Sequence, residues 1–136
     1  MPPDAIDEAP VVRTGGCRCG AVRYEVRGEP HTVGLCHCTR CRSETGSAFL
    51  YYGDWAADRF AVTGEFRTYE GRSFCPTCGS RLFHLSDDGA EICLGSLDEA
   101  PTAFTPGREG WIKRREIWML PAGAALQADE DPPSGV

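Results

Sequence analysis

The chain has 136 residues, of which 41% are apolar and 25% charged. That is the balance of one globular domain, not of a disordered segment. A net charge of −6 argues against nonspecific binding to nucleic acid or anionic membranes, both of which need positive charge.

In chain order, residues 1–13 open with Asp4, Asp7 and Glu8 and carry no apolar stretch. A secretory leader needs a basic start and an apolar run, so this reads as a mobile N-terminal segment of a soluble, cytoplasmic protein. Residues 21–27 alternate, with Val22, Tyr24 and Val26 on one face, the pattern of a half-buried strand. Residues 32–35 read as a short strand leading into Cys36, and residues 47–52 as another. They contain the longest apolar stretch, only Ala48-Phe49-Leu50-Tyr51-Tyr52, far short of the ~20 residues of a membrane-spanning helix. Residues 60–63 and 66–69 suggest a hairpin across Gly64-Glu65. Residues 82–85 and 91–94 suggest a second one across Asp88-Gly89, a good turn dipeptide. Residues 111–120 lean to strand. The acidic tail, 121–136, reads as mobile. Gly (16) and Pro (10) form roughly a fifth of the chain against a usual ~12%, and this favours short strands and turns. The body, 14–120, is one mainly β domain.

Eight cysteines demand an explanation. In a reducing compartment they favour metal over disulfides. They sort as Cys17 and Cys19; Cys36, Cys38 and Cys41; Cys75 and Cys78; and a lone Cys93. A structural zinc takes four ligands in a tetrahedron, and two tight pairs supply them. Gly20 and Gly79 follow the pairs and allow the turn. Cys17, Cys19, Cys75 and Cys78 are therefore one expected site.

The triplet of Cys36, Cys38 and Cys41 has two readings. Three protein ligands with an open position is a catalytic arrangement; a fourth ligand from His37, Glu44, His84 or Cys93 would make it structural. Three thiolates leave zinc electron-rich, poor at making hydroxide and suited to holding a further thiolate, because a coordinating thiol is deprotonated. Arg40 and Arg42 bracket Cys41, where they either meet substrate carboxylates or lie solvated. Cys93, between Ile92 and Leu94, reads as a small buried residue.

Four stretches resemble a known family. They are Gly15-Gly16-Cys17-Arg18-Cys19-Gly20-Ala21-Val22-Arg23-Tyr24, the run from Cys36-His37-Cys38-Thr39-Arg40-Cys41 to Phe49, Phe74-Cys75-Pro76-Thr77-Cys78-Gly79-Ser80, and Leu94-Gly95-Ser96-Leu97-Asp98. The likeness is to the glutathione-dependent formaldehyde-activating enzyme/CENP-V domain family and covers roughly residues 14–118. It implies a β-tent of small antiparallel sheets built around zinc-binding knuckles. It also implies two zinc ions, a structural one on Cys17, Cys19, Cys75 and Cys78 and a catalytic one on Cys36, Cys38 and Cys41. The implied chemistry is addition of glutathione to formaldehyde, a carbon–sulfur lyase type of reaction, with a small thiol and an aldehyde as partners and neither nucleic acid nor membrane. Two departures stand out. The histidine of the family's late His-Ile-aromatic run is missing from Glu109-Gly110-Trp111-Ile112, and Cys93 stands where the family usually has an aliphatic residue.

Two other functions compete with that enzyme. One is a noncatalytic zinc scaffold that binds a partner. The other is a nucleic-acid-binding zinc ribbon, supported only by Lys113, Arg114 and Arg115 between Glu109 and Glu116.

Overall fold

The buried alternation of Val22, Tyr24 and Val26 is where the fold begins. In the computed structural model, which describes residues 10–133, this alternation leads into β2 (Arg23–Arg27). β2 pairs antiparallel with β1 (Val12–Gly16) on one side and β5 (Phe60–Thr63) on the other, giving a three-stranded sheet. The acidic residues before position 10 lie outside the described residues. β1 starts two positions inside the segment expected to be mobile, because its backbone is satisfied by β2.

The second sheet has eight strands. At its centre are β3 (Thr32–Cys36), β4 (Leu50–Trp55), β9 (Gly89–Cys93) and β8 (Arg81–Ser86), successive antiparallel neighbours. β7 (Arg72–Phe74) and β6 (Arg67–Tyr69) extend one edge. The other edge is β10 (Arg108–Gly110), parallel to β3, and then β11 (Leu126–Gln127), parallel to β10. The mainly β expectation holds, with two parallel pairings added.

Apolar side chains from both sheets meet in one core. Val22, Val26, Leu82, Phe83, Ile92 and Leu94 are fully enclosed and Trp55 nearly so. Phe60 and Phe66 meet Phe83 edge-on at 5.0 and 5.1 Å between ring centres, a favoured aromatic geometry. Each such enclosed side chain contributes ~1.5–3 kcal/mol.

Three expectations are corrected. Strands 60–63 and 66–69 do not form a hairpin, since β5 pairs with β2 and β6 with β7. The turn that closes β6 onto β7 is Glu70-Gly71, both with positive φ (49° and 84°), as a tight hairpin turn requires. Gly64 instead runs so close to residue 21 that a Cβ would lie 2.0 Å from the Ala21 carbonyl oxygen. Residues 111–120 are not a strand. Trp111 turns left-handed (φ 56°) after β10, a short 3-10 turn follows at Ile112–Arg114, and Ile117, Trp118 and Leu120 stand exposed. The tail from residue 121 was expected to be mobile. Its described part is fastened by β11 and by backbone bonds from Ile112 N to Ala128 O (3.1 Å) and from Trp111 N to Glu130 O (2.9 Å).

Candidate metal centres

Cys17 and Cys19 lie just past β1, while Cys75 and Cys78 occupy the loop between β7 and β8. One cysteine pair thus belongs to each sheet. Their four sulfurs lie within 4.8 Å of one another. Cys17 to Cys19 is 3.6 Å and Cys19 to Cys75 is 3.7 Å. Metal–sulfur bonds of ~2.3 Å in a tetrahedron put sulfurs about 3.8 Å apart, so the set fits zinc.

Backbone amides reach two of these sulfurs. Val22 N donates to Cys17 Sγ (3.2 Å), and Thr77 N and Cys78 N donate to Cys75 Sγ (3.3 and 3.5 Å). Donated hydrogen bonds favour a thiolate. The Ser80 hydroxyl does the same for Cys78, whose thiol is pulled down to about 5. Gly20 and Gly79 take φ of 84° and 80°, the left-handed turn that their sequence positions anticipate.

The second set is assembled at a strand-to-helix junction. Cys36 ends β3, and Cys38 caps the helix α1 (Thr39–Thr45) by accepting from Cys41 N at 3.3 Å. Cys41 is buried in the first turn of α1. These three sulfurs also lie within 4.8 Å of one another, and among the described residues no fourth ligand atom joins them at that spacing. The nearness of Cys41 draws the Cys36 thiol down to about 6, while Cys36 and burial push the Cys41 thiol up. The three sulfurs thus share protons as a unit.

Three of the four candidate fourth ligands are bonded to other groups, and the fourth, His84, is not within ligand spacing of the sulfurs. His37 is fully buried, its Nε2 2.8 Å from Glu109 Oε1. Glu44 binds Arg72 Nε (3.1 Å) and Arg81 Nε (2.9 Å). Arg81 Nη1 in turn donates to Cys93 Sγ (3.1 Å), and burial pushes the Cys93 thiol up to about 12. His84 stands on the wall of the adjoining cavity.

That cavity has a volume of about 720 Å³ and carries the three cysteines on its surface, within the size range of small-molecule sites. Arg40 lines it, as does Arg114. Arg42 does not: its guanidinium pairs with Glu116 and donates to Arg114 O (2.9 Å). Three further wall residues escaped sequence reasoning. Arg108 lies over the Tyr52 ring and donates to its hydroxyl (2.9 Å). Glu91 is pushed up to about 7, by burial first and by the nearby Asp54 charge second. Asp131 comes from the tail, where its Oδ1 accepts from Trp111 Nε1 at 2.8 Å. Glu91 was detectable as the polar partner of Ile92 in an alternating strand. Arg108 and Asp131 depend on the parallel pairings of β10, for which the sequence carries no local signal.

The sequence model of the glutathione-dependent formaldehyde-activating enzyme family matches residues 12–114. The chain belongs to that family.

Proposed function

We propose that this family member is a carbon–sulfur lyase-type enzyme of a reducing, cytoplasmic compartment. It would add a small thiol such as glutathione to an aldehyde such as formaldehyde, or release it. The observation that carries the reading is a three-sulfur set with no fourth ligand atom at that spacing among the described residues, facing a cavity of about 720 Å³. Cys17, Cys19, Cys75 and Cys78 would hold a structural zinc, and Cys36, Cys38 and Cys41 a catalytic one. A zinc ion held by the three-cysteine set would supply positive charge that favours the thiolate form of an incoming thiol at neutral pH, its proton passing to solvent.

The remaining work falls to side chains of this chain. Arg40, Arg108 and Arg114 line the cavity and would orient the carboxylates of the thiol, bringing its sulfur to one end of the space. When the sulfur attacks, the S–C bond forms, the carbonyl π pair moves to oxygen, and that oxygen needs a proton. Glu91 lines the same cavity and holds its proton to about pH 7, so its carboxyl group is the candidate donor. The reverse direction returns that proton and breaks the S–C bond.

Exchange spectroscopy on labelled formaldehyde with glutathione tests the reading. The zinc-loaded protein should accelerate formation of the hydroxymethyl thioether above the spontaneous rate, and Cys38→Ser should not. No acceleration with any small thiol would favour the noncatalytic scaffold.

A further inference from the structure

We propose that Asp131 determines specificity: it selects, among thiols that carry carboxylates, those that also carry an ammonium group. The inference rests on the thiol-binding reading above.

The tail that carries Asp131 lies beyond residues 12–114, the part of the chain matched by the family. It is nonetheless built into the cavity wall. β11 holds it parallel to β10, and Ala128 N donates to Glu109 O at 2.9 Å. Trp111 N and Ile112 N donate to Glu130 O and Ala128 O, and Lys113 pairs with Glu130. Gly110 leaves the room this requires: a Cβ there would lie 3.0 Å from Pro132 Cδ and 3.3 Å from Glu130 O. Asp131 and Pro132 thereby join Trp111 as part of the cavity surface.

The charge on Asp131 is not needed for this seat. Backbone bonds and the notch at Gly110 hold the tail, and the indole of Trp111 asks only for an acceptor oxygen. What the carboxylate adds is negative charge on a wall that otherwise offers arginines. Among the described residues the cavity has one other acidic side chain, Glu91, which is largely buried and holds its own proton to about pH 7. Asp131 is exposed on the cavity wall, where its carboxylate would meet an ammonium group of the occupant. Arginines for carboxylates and a carboxylate for an ammonium together match an amino-acid-like thiol end.

Asp131→Asn separates charge from seating, because the amide oxygen still accepts from Trp111 Nε1. The test is calorimetric titration of the zinc-loaded protein with glutathione and with its analogue in which hydrogen replaces the amino group, at low salt. The native protein should prefer glutathione about three- to fivefold, the scale of an exposed ion pair. Asp131→Asn should abolish the preference while binding the analogue as before. A preference that survives in Asp131→Asn, or an equal loss for both thiols, overturns the assignment and leaves Asp131 a structural residue. Failure of the native protein to bind either thiol would take down the thiol-binding reading itself, and this proposal with it.

Discussion

The two cysteine sets use the same side chain, and their surroundings make them different. The four-cysteine set lies between two loops, one from each sheet, so a metal there would fasten the sheets together. Cys75 is fully buried, and backbone amides reach its sulfur from two positions. The three-cysteine set belongs to one sheet and one short helix, and its sulfurs border a cavity. A fourth sulfur closes the first set. In the second, three of the four groups that might have closed it are tied into other bonds: His37 to Glu109, and Glu44 and Cys93 to Arg81. Openness here is maintained by the neighbours as much as by the ligands.

The sharpest way to break the contrast is Cys75→Ser. Loss of a closed metal site in a small domain removes folding energy outright. Against a total stability of ~5–15 kcal/mol, the variant should be unfolded at 37 °C or melt more than ~10 °C lower by calorimetry. Cys38→Ser should behave oppositely. Its hydroxyl still caps α1 through Cys41 N, so the melting temperature should move by only a few degrees while thiol-dependent turnover falls ~100-fold or more. An equal thermal loss in both variants would erase the distinction between the sites.

Glu44→Ala probes the link between them. Glu44 sits on α1 and Arg81 starts β8, just after Cys78. Removing the carboxylate strands Arg81, whose side chain is only 10% exposed, at a cost of ~1–3 kcal/mol. Metal affinity at the three-cysteine set should drop as well, read by competition with a chelator.

Glu91 gives a pH test. Its folded pKa is raised, so its contribution to stability is fully present below the ordinary glutamate range. That contribution is lost as pH climbs through about 7. Glu91→Gln should flatten both the stability decline and the fall in turnover across that window. Unchanged pH profiles would remove Glu91 from the chemistry. The smallest effect belongs to Arg42→Ala. With Arg42 tied to Glu116 and Arg114 O, thiol affinity should change less than twofold and stability by ~1 kcal/mol or less.

What could be read in advance was local. Cysteine spacing picked out the two groups of sulfurs that come together and could hold a metal, and alternation at Val22, Tyr24 and Val26 picked out β2. Partnership between distant segments was harder. Gly64-Glu65 looked like a hairpin turn, yet the operative turn was Glu70-Gly71, because close approach to residue 21 claimed Gly64 for another purpose. The tail looked mobile because it is acidic, with small residues and proline. Backbone bonds to β10 and Trp111 fasten it without needing any side-chain pattern. Arg40 and Arg42 sat symmetrically around Cys41 in sequence, but on a helix such neighbours face apart, so only Arg40 reaches the cavity.

Cobalt reports directly on whether one cysteine set is closed and the other open to a thiol. Cobalt can be substituted into both sets and the protein titrated with glutathione while the thiolate-to-metal absorption is followed. Two metal ions per chain are expected, with the bands of one set shifting saturably and those of the other unmoved. Cys38→Ser should remove only the responsive set. A single ion per chain, or two ions that both ignore glutathione, would contradict this division.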